Sequence, residues 1–233
     1  MILIKNNKGG VGKSLITYWL AKGISELGYK TLILTSDNQN NILSYAGFEG
    51  EYGVGLEAWL SKGIGELIHL SKNLDYIPLT EYKLKRNFEE KFKNLIKELK
   101  TKYDYIFVDG SPTLGGDKVF IKTASQIIIP TYLDEITTEG IVNILNVVDD
   151  IKKIKSIIPN RCGKSKIEKE IFLELKEISD NAGILLTEPI KQSSIITNLI
   201  AKHKSIWDSK AKPTEYIRAE LLKVIEVIIN GNE

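Results

Sequence analysis

Residues 7–14 read Asn-Lys-Gly-Gly-Val-Gly-Lys-Ser, and this octet constrains the chain more than any other stretch of it. Strand-like Ile2, Leu3 and Ile4 precede it, and a helix-like run from Leu15 to Leu27 follows. A glycine-rich turn from strand to helix is where an anion can be held. Gly9, Gly10 and Gly12 let backbone N–H groups approach it, Lys13 supplies positive charge, and Ser14 offers a hydroxyl to a magnesium ion. The usual phosphate loop begins with glycine five positions before its Gly-Lys pair. Here Asn7 holds that position, and an additional lysine, Lys8, comes just before the paired glycines.

The rest of the chain supplies a sheet and helices for such a loop to join. Its 233 residues suffice for a single α/β domain, with 42% hydrophobic and 27% charged residues. The formal net charge of +2 means that any nucleic-acid surface has to be local. One cysteine, Cys162, excludes a disulfide framework and a cysteine-built metal cluster within the chain; it is either free or paired across a symmetric interface. His69 and His203 are far apart and read as surface or packing residues. With no charged leader before the first strand and no apolar run long enough to span a bilayer, a cytoplasmic location is expected.

Periodicity predicts strands at Ile2–Lys5, Thr31–Thr35, Leu74–Pro78, Tyr105–Asp109, Gln126–Ile129, Ile154–Ile158 and Gly183–Leu186. Helical spacing joins Phe88, Phe92, Leu95, Ile96 and Leu99, then Ile141, Ile144, Leu145, Val148 and Ile151. It also joins Ile171, Leu175 and Ile178, and finally Leu221, Val224, Ile225 and Ile228. Nearly continuous apolar strands alternating with such helices predict an α/β fold, a mostly parallel sheet with helices on both faces. Ligands in that architecture sit beyond the carboxyl ends of the strands, where the octet lies. The glycine-rich stretch from Tyr45 to Gly65, with Trp59 in a short helical piece, reads as a mobile connection within the one domain.

Two aspartates extend the candidate site. Asp109 closes the apolar strand Tyr105–Val108, where a carboxylate can hold magnesium through water opposite Ser14; the alternative is a turn aspartate paired with Ser111. Asp37 follows the second strand and can reach the γ-phosphate side to orient a water, or it can serve only as a cap or turn residue.

Taken together, Lys8-Gly9-Gly10-Val11-Gly12-Lys13-Ser14, Asp37 and Asp109 resemble the ParA/MinD group of deviant phosphate-loop ATPases, with the P-loop NTPase fold. The resemblance implies ATP and Mg2+ as cofactors, bound along Lys8 to Leu15. It further implies that Lys8 reaches the phosphates of a second subunit, so that two copies enclose two ATP molecules. Lys13 and Ser14 match the ordinary phosphate lysine and magnesium hydroxyl, Asp109 the magnesium-side aspartate, and Asp37 the aspartate implicated in hydrolysis. Ser111-Pro112-Thr113-Leu114-Gly115 resembles the following switch, Pro130 and Glu139-Gly140 the next loop and helix start, and Asn160-Arg161 a base-contacting pair. The likeness covers 1–161 well and the remainder loosely. Thr35 stands where the family has a first aspartate, Asn38 where proline is usual, and Gly110 where threonine or cysteine is common.

The short partition ATPases of this group imply an ATP-dependent homodimer that binds DNA without sequence preference and is released by hydrolysis. Their partner is a small centromere-binding ParB-like protein, and they associate with the nucleoid. Lys152, Lys153, Lys155, Arg161, Lys164, Lys166 and Lys169 form one candidate DNA patch. Lys191, Lys202, Lys204, Lys210, Lys212 and Arg218 form a looser second one. The C-terminal Ile228-Ile229-Asn230-Gly231-Asn232-Glu233 lacks the basic face of a membrane-binding tail, so its helix is expected to pack on the sheet. Two other classes remain open: a small-molecule metabolic ATPase on the same core, and a nucleotide-binding scaffold with little turnover.

Overall fold

The computed structural model describes residues 1–80, 87–111 and 117–231. The strands are β1 (Ile2–Ile4), β2 (Thr31–Thr35), β3 (Ile68–Ser71), β4 (Leu74–Ile77), β5 (Tyr105–Asp109), β6 (Gln126–Thr131), β7 (Ile154–Pro159) and β8 (Leu185–Leu186). They form one sheet in the order β3-β4-β2-β5-β1-β6-β7-β8. Every pairing is parallel except β3 with β4. The helices are α1 (Lys13–Glu26), α2 (Asn41–Tyr45), α3 (Leu56–Lys62), α4 (Phe88–Leu99), α5 (Asp117–Thr123), α6 (Glu135–Val147), α7 (Lys166–Ala182), α8 (Ser194–Ala201) and α9 (Lys212–Asn230).

The continuous apolar strands bury both faces, because successive side chains point to opposite sides. Ile2, Ile4, Tyr105 and Phe107 pack with α1 and α9. Leu3, Ile106 and Val108 face the other way, toward α4, α5 and α6. There Phe92 and Phe120 meet edge to face, ring centroids 4.9 Å apart. The C-terminal helix packs on the sheet as expected: Ile217, Leu221, Val224, Ile225 and Ile228 are all buried. Trp59 lies in the short helix α3, also as expected.

The structure departs from the sequence expectations in five places. The first is β3, an extra strand that makes an antiparallel hairpin with β4 through Lys72-Asn73, with Asn73 at φ 63°. Ile68, His69, Leu70 and Ser71 do alternate apolar and polar, but four residues is the shortest run that can signal a strand. The second is α6, which stops at Val147, leaving Val148 extended and Ile151 in a 3-10 turn. The third is on α7, where Ser179 replaces Ile178 on the buried face and Ile178 is exposed. The fourth is α5 and α8, which had no counterpart in the periodicity. The fifth is the final strand, reduced to two residues.

Gly23 shows how closely α1 and α9 approach. Glycine in a helix interior costs about 1 kcal/mol relative to alanine, yet a Cβ here would sit 2.7 Å from Ile225 Cδ1 and 2.7 Å from Trp207 Cζ2. Trp207 is itself anchored, its indole N–H donating to Trp19 O at 2.7 Å. Gly23→Val should therefore destabilise the fold by about 1–3 kcal/mol through overpacking. Urea unfolding measures this, and an unchanged midpoint would show that the helices separate freely.

Candidate nucleotide-binding site

The octet emerges from β1, the strand between β5 and β6, and closes into α1. Gly12 precedes α1 at φ 91° and ψ 23°, a left-handed conformation suited to glycine. No side chain caps α1, and its first turn holds no acidic residue. Its leading N–H groups and the positive end of its dipole are thus open to an anion. Glycine is also required by proximity: a Cβ on Gly12 would meet Asn160 Nδ2 at 2.3 Å, and one on Gly10 would meet Tyr132 Oη at 3.1 Å.

Side chains from elsewhere hold the loop carbonyls. Tyr132, just past β6, donates its hydroxyl to Gly10 O. Arg161 Nη1 donates to the same oxygen at 3.4 Å, and Asn160 Nδ2 donates to Val11 O at 2.9 Å. Lys13 Nζ donates to Lys8 O at 2.8 Å. The N–H of a trans peptide points opposite its carbonyl, so restraining these oxygens orients the N–H groups of Gly9, Val11 and Gly12 to the other side. Asn6, buried beneath the loop, donates to Pro130 O at 2.8 Å and accepts from Lys8 N at 2.9 Å. Among the described residues the Lys8 ammonium has no hydrogen-bond or ion-pair partner.

Asp109 is beside the loop because β5 pairs with β1, placing Ile4 opposite Asp109. Its carboxyl is buried, and burial pushes its pKa up to about 7. A hydrogen bond from Ser14 and the charge of Lys13 act against that shift, while the charge of Asp37 adds to it. Thr17 Oγ1 also donates to Asp109 Oδ1, at 3.4 Å. Ser14 and Thr17 are three positions apart on α1 and so share a face. A buried carboxyl with so little compensating charge, next to a serine hydroxyl, suits a divalent cation.

Asp37 lies on the same cleft. Its Oδ1 accepts from Gln39 N at 3.0 Å, so it shapes its own turn while lining the cavity. Thr35 cannot supply a carboxylate, but it braces this turn: its Oγ1 accepts from Asp37 N at 3.0 Å and donates to Asp37 O at 3.2 Å. Asn40, at φ 47°, fixes the far side by donating to Leu79 O at 2.7 Å and accepting from Tyr76 Oη at 2.8 Å.

Gly9, Gly10, Gly12, Lys13, Ser14, Leu15, Asp37, Asn160 and Arg161 line one cleft of about 550 Å³. Asp109 lies behind it, hydrogen-bonded to Ser14 and Thr17 of α1. Val11 is fully buried under the loop. Tyr132, Thr17, Asn6 and Asn40 were not singled out by sequence, since their roles depend on which strands become neighbours; only the spacing of Thr17 from Ser14 was visible. Tyr45 and α8, through Ile196, Thr197 and Ile200, complete the far wall. Lys191 lines this cleft as well, whereas Lys202 and Lys204 follow the other end of α8, about 12 Å along its axis. The first lysine group is also divided. Lys152, Lys153 and Lys155 lie at the start of β7, and Arg161, Lys164 and Lys166 lie beyond its other end, about 20 Å away. Pro112, Thr113, Leu114 and Gly115 fall outside the described residues.

A family model described as an AAA domain matches residues 1–159. An uncharacterized protein of Methanocaldococcus jannaschii is 32% identical over 218 residues, covering 79% of this chain and 82% of that protein. The sporulation initiation inhibitor protein Soj of Bacillus subtilis is 27% identical over 206 residues, covering 82% of this chain and 79% of Soj. Among solved structures, a Borrelia burgdorferi protein classed with plasmid partition proteins and bound to AMPPNP superposes with a TM-score of 0.78. It is 23% identical, with 98% of each chain covered. The chain belongs to the ParA/MinD family of phosphate-loop ATPases. The cofactors of that family, ATP and Mg2+, suit the donors here: open N–H groups and Lys13 for phosphates, Ser14 and Asp109 for the metal.

Asp109→Asn separates two effects. A carboxyl whose folded pKa is raised opposes folding once the pH exceeds its unfolded value, and fully so above about 7. At pH 8 the variant should melt no lower than the parent without ligand, while Mg2+-dependent nucleotide affinity falls roughly tenfold or more. Thermal melts and titrations with and without Mg2+ check both. A lower melting temperature together with intact Mg2+ dependence would assign Asp109 a purely structural role.

Proposed function

We propose that the chain is a nucleotide-switched partition ATPase whose ATP-bound homodimer holds DNA without reading its sequence. The observation that carries this reading is Lys8. Its backbone is fixed at both ends, by Asn6 and by Lys13, while its ammonium has no partner among the described residues. A second copy facing the cleft would supply one in its own triphosphate.

In this reading α1's N–H groups and Lys13 hold the phosphates, and Ser14 and Asp109 hold the metal directly or through water. Bound ATP would supply the transferable γ-phosphoryl group, and Mg2+ held by Ser14 and Asp109 would supply charge neutralisation. Asp37 orients the attacking water, and Lys8 and Lys13 stabilise developing negative charge. Asn160 and Arg161 line the cleft and restrain the loop, and in this reading they also contact the base. The name of a 29%-identical relative, the chromosome partitioning protein ParA of Myxococcus xanthus, supports a partition role over a metabolic one.

DNA contact is assigned to lysines outside the cleft and the cavity beside it: Lys202 and Lys204 beyond α8, with Lys166 at the start of α7. All are exposed. A ParB-like partner would then stimulate turnover. No described helix is long and apolar enough to cross a membrane.

Lys8→Ala should abolish ATP-driven dimerisation and leave nucleotide affinity within about threefold, since Lys8 is assigned to the other subunit's nucleotide. Sedimentation velocity with ATP and with ADP tests this; a normal ATP dimer would remove the cross-subunit role. Asp37→Ala should retain the dimer and lose about 10²-fold or more in turnover. Parental phosphate release in that variant would reject its assignment. Duplex DNA binding should require ATP and weaken steeply with salt. Fluorescence anisotropy showing equal binding with ADP would displace the switch reading.

A further inference from the structure

A second cavity, of about 780 Å³, lies beside the nucleotide cleft and shares Lys191 with it. Cys162, Phe172, Leu173 and Tyr216 give it an apolar interior, drawn from the loop after β7, from α7 and from the start of α9. Its size suits a ligand or a side-chain cluster. The apolar surface also reaches outward: Leu173, which lines the cavity, is 64% exposed. Surface continuing beyond a cavity fits a polypeptide better than a small molecule.

The charges around it are of two kinds. Lys164, Lys169 and Lys191 line it, and none of their ammoniums has a hydrogen-bond or ion-pair partner among the described residues. Two carboxylates line it too. Glu168 is committed locally, accepting from Gly163 N, Ser165 N and Ser165 Oγ. Glu188 is exposed. The excess is positive, and its uncommitted members surround an apolar floor.

We propose that this cavity docks a segment of a partner protein that inserts large apolar side chains flanked by carboxylates. DNA would use the lysines but not the apolar interior. The cavity is joined to the nucleotide cleft by backbone. Tyr216 Oη accepts from Lys191 N at 3.0 Å, Cys162 bridges to Lys191, and Arg161, the residue before Cys162, reaches Gly10 O. An occupant pressing on Tyr216 or Cys162 therefore acts on segments that wall the nucleotide. Docking stands apart from the partition reading; only this coupling rests on nucleotide binding in the cleft.

The test uses the full chain and two labelled dodecapeptides, one alternating Glu and Asp with Leu and Phe, the other its lysine-substituted twin. Fluorescence anisotropy should show the acidic peptide binding at least tenfold more tightly than its twin, and losing at least tenfold with Leu173→Asp or Lys169→Glu. Both residues are exposed, so these variants should fold and keep the parental nucleotide affinity, measured separately with a fluorescent ATP analogue. Saturating acidic peptide should shift that affinity at least threefold, and Tyr216→Phe should reduce the shift while preserving peptide binding. No acidic-peptide binding, equal binding of both peptides, or indifference to Leu173→Asp would overturn the docking site. Loss of DNA binding with Lys169→Glu, without any peptide binding, would assign the cavity's lysines to nucleic acid instead. Peptide binding with no effect on nucleotide would overturn the coupling alone, and failure to bind nucleotide at all would fault the switch reading while leaving the docking result intact.

Discussion

The site depends on the restraint of a few backbone carbonyls in the loop between β1 and α1. A glycine-rich loop has more conformations available than any other sequence of its length, and an anion site needs one of them. Tyr132, Asn160, Arg161 and Lys13 select it by binding the oxygens of Gly10, Val11 and Lys8. The N–H groups are thereby set before any phosphate arrives, which lowers the ordering cost of binding.

The restraint in turn depends on the order of the sheet. Tyr132 and Asn160 follow β6 and β7, which lie successively beside β1, and Asp109 ends β5 on its other side. Three strand ends thus converge on one loop, although 149 positions separate Asn160 from Val11. The apolar cores on both faces fix this order, and that is the route by which packing far from the cleft bears on the nucleotide. Gly23 serves the same end, letting α9 lie close against the helix that presents the phosphate site.

Much of this was legible in the chain. The octet identified the loop, and the runs around Phe107 and Ile128 identified central strands, because burial on both faces demands uninterrupted apolar sequence. The lysine groups are spread more widely than their spacing in sequence suggests. Lys152 and Lys164 are twelve positions apart, yet β7 carries the chain across the molecule between them, so closeness in sequence became distance in space. Lys191, grouped with Lys202 and Lys204, lies instead between the nucleotide cleft and the neighbouring cavity.

The sequence by itself determined the chemistry of the loop and the type of sheet that presents it, because both are properties of contiguous residues: glycine spacing, a lysine and a hydroxyl in series, and apolar periodicity. Tertiary structure alone decided which side chains grip the loop carbonyls, how Thr35 and Asn40 shape the turn holding Asp37, and that Lys191 joins two cavities. Those contacts link strand ends whose adjacency follows from sheet order, and sheet order is set by how the two covered faces pack together, not by any local pattern.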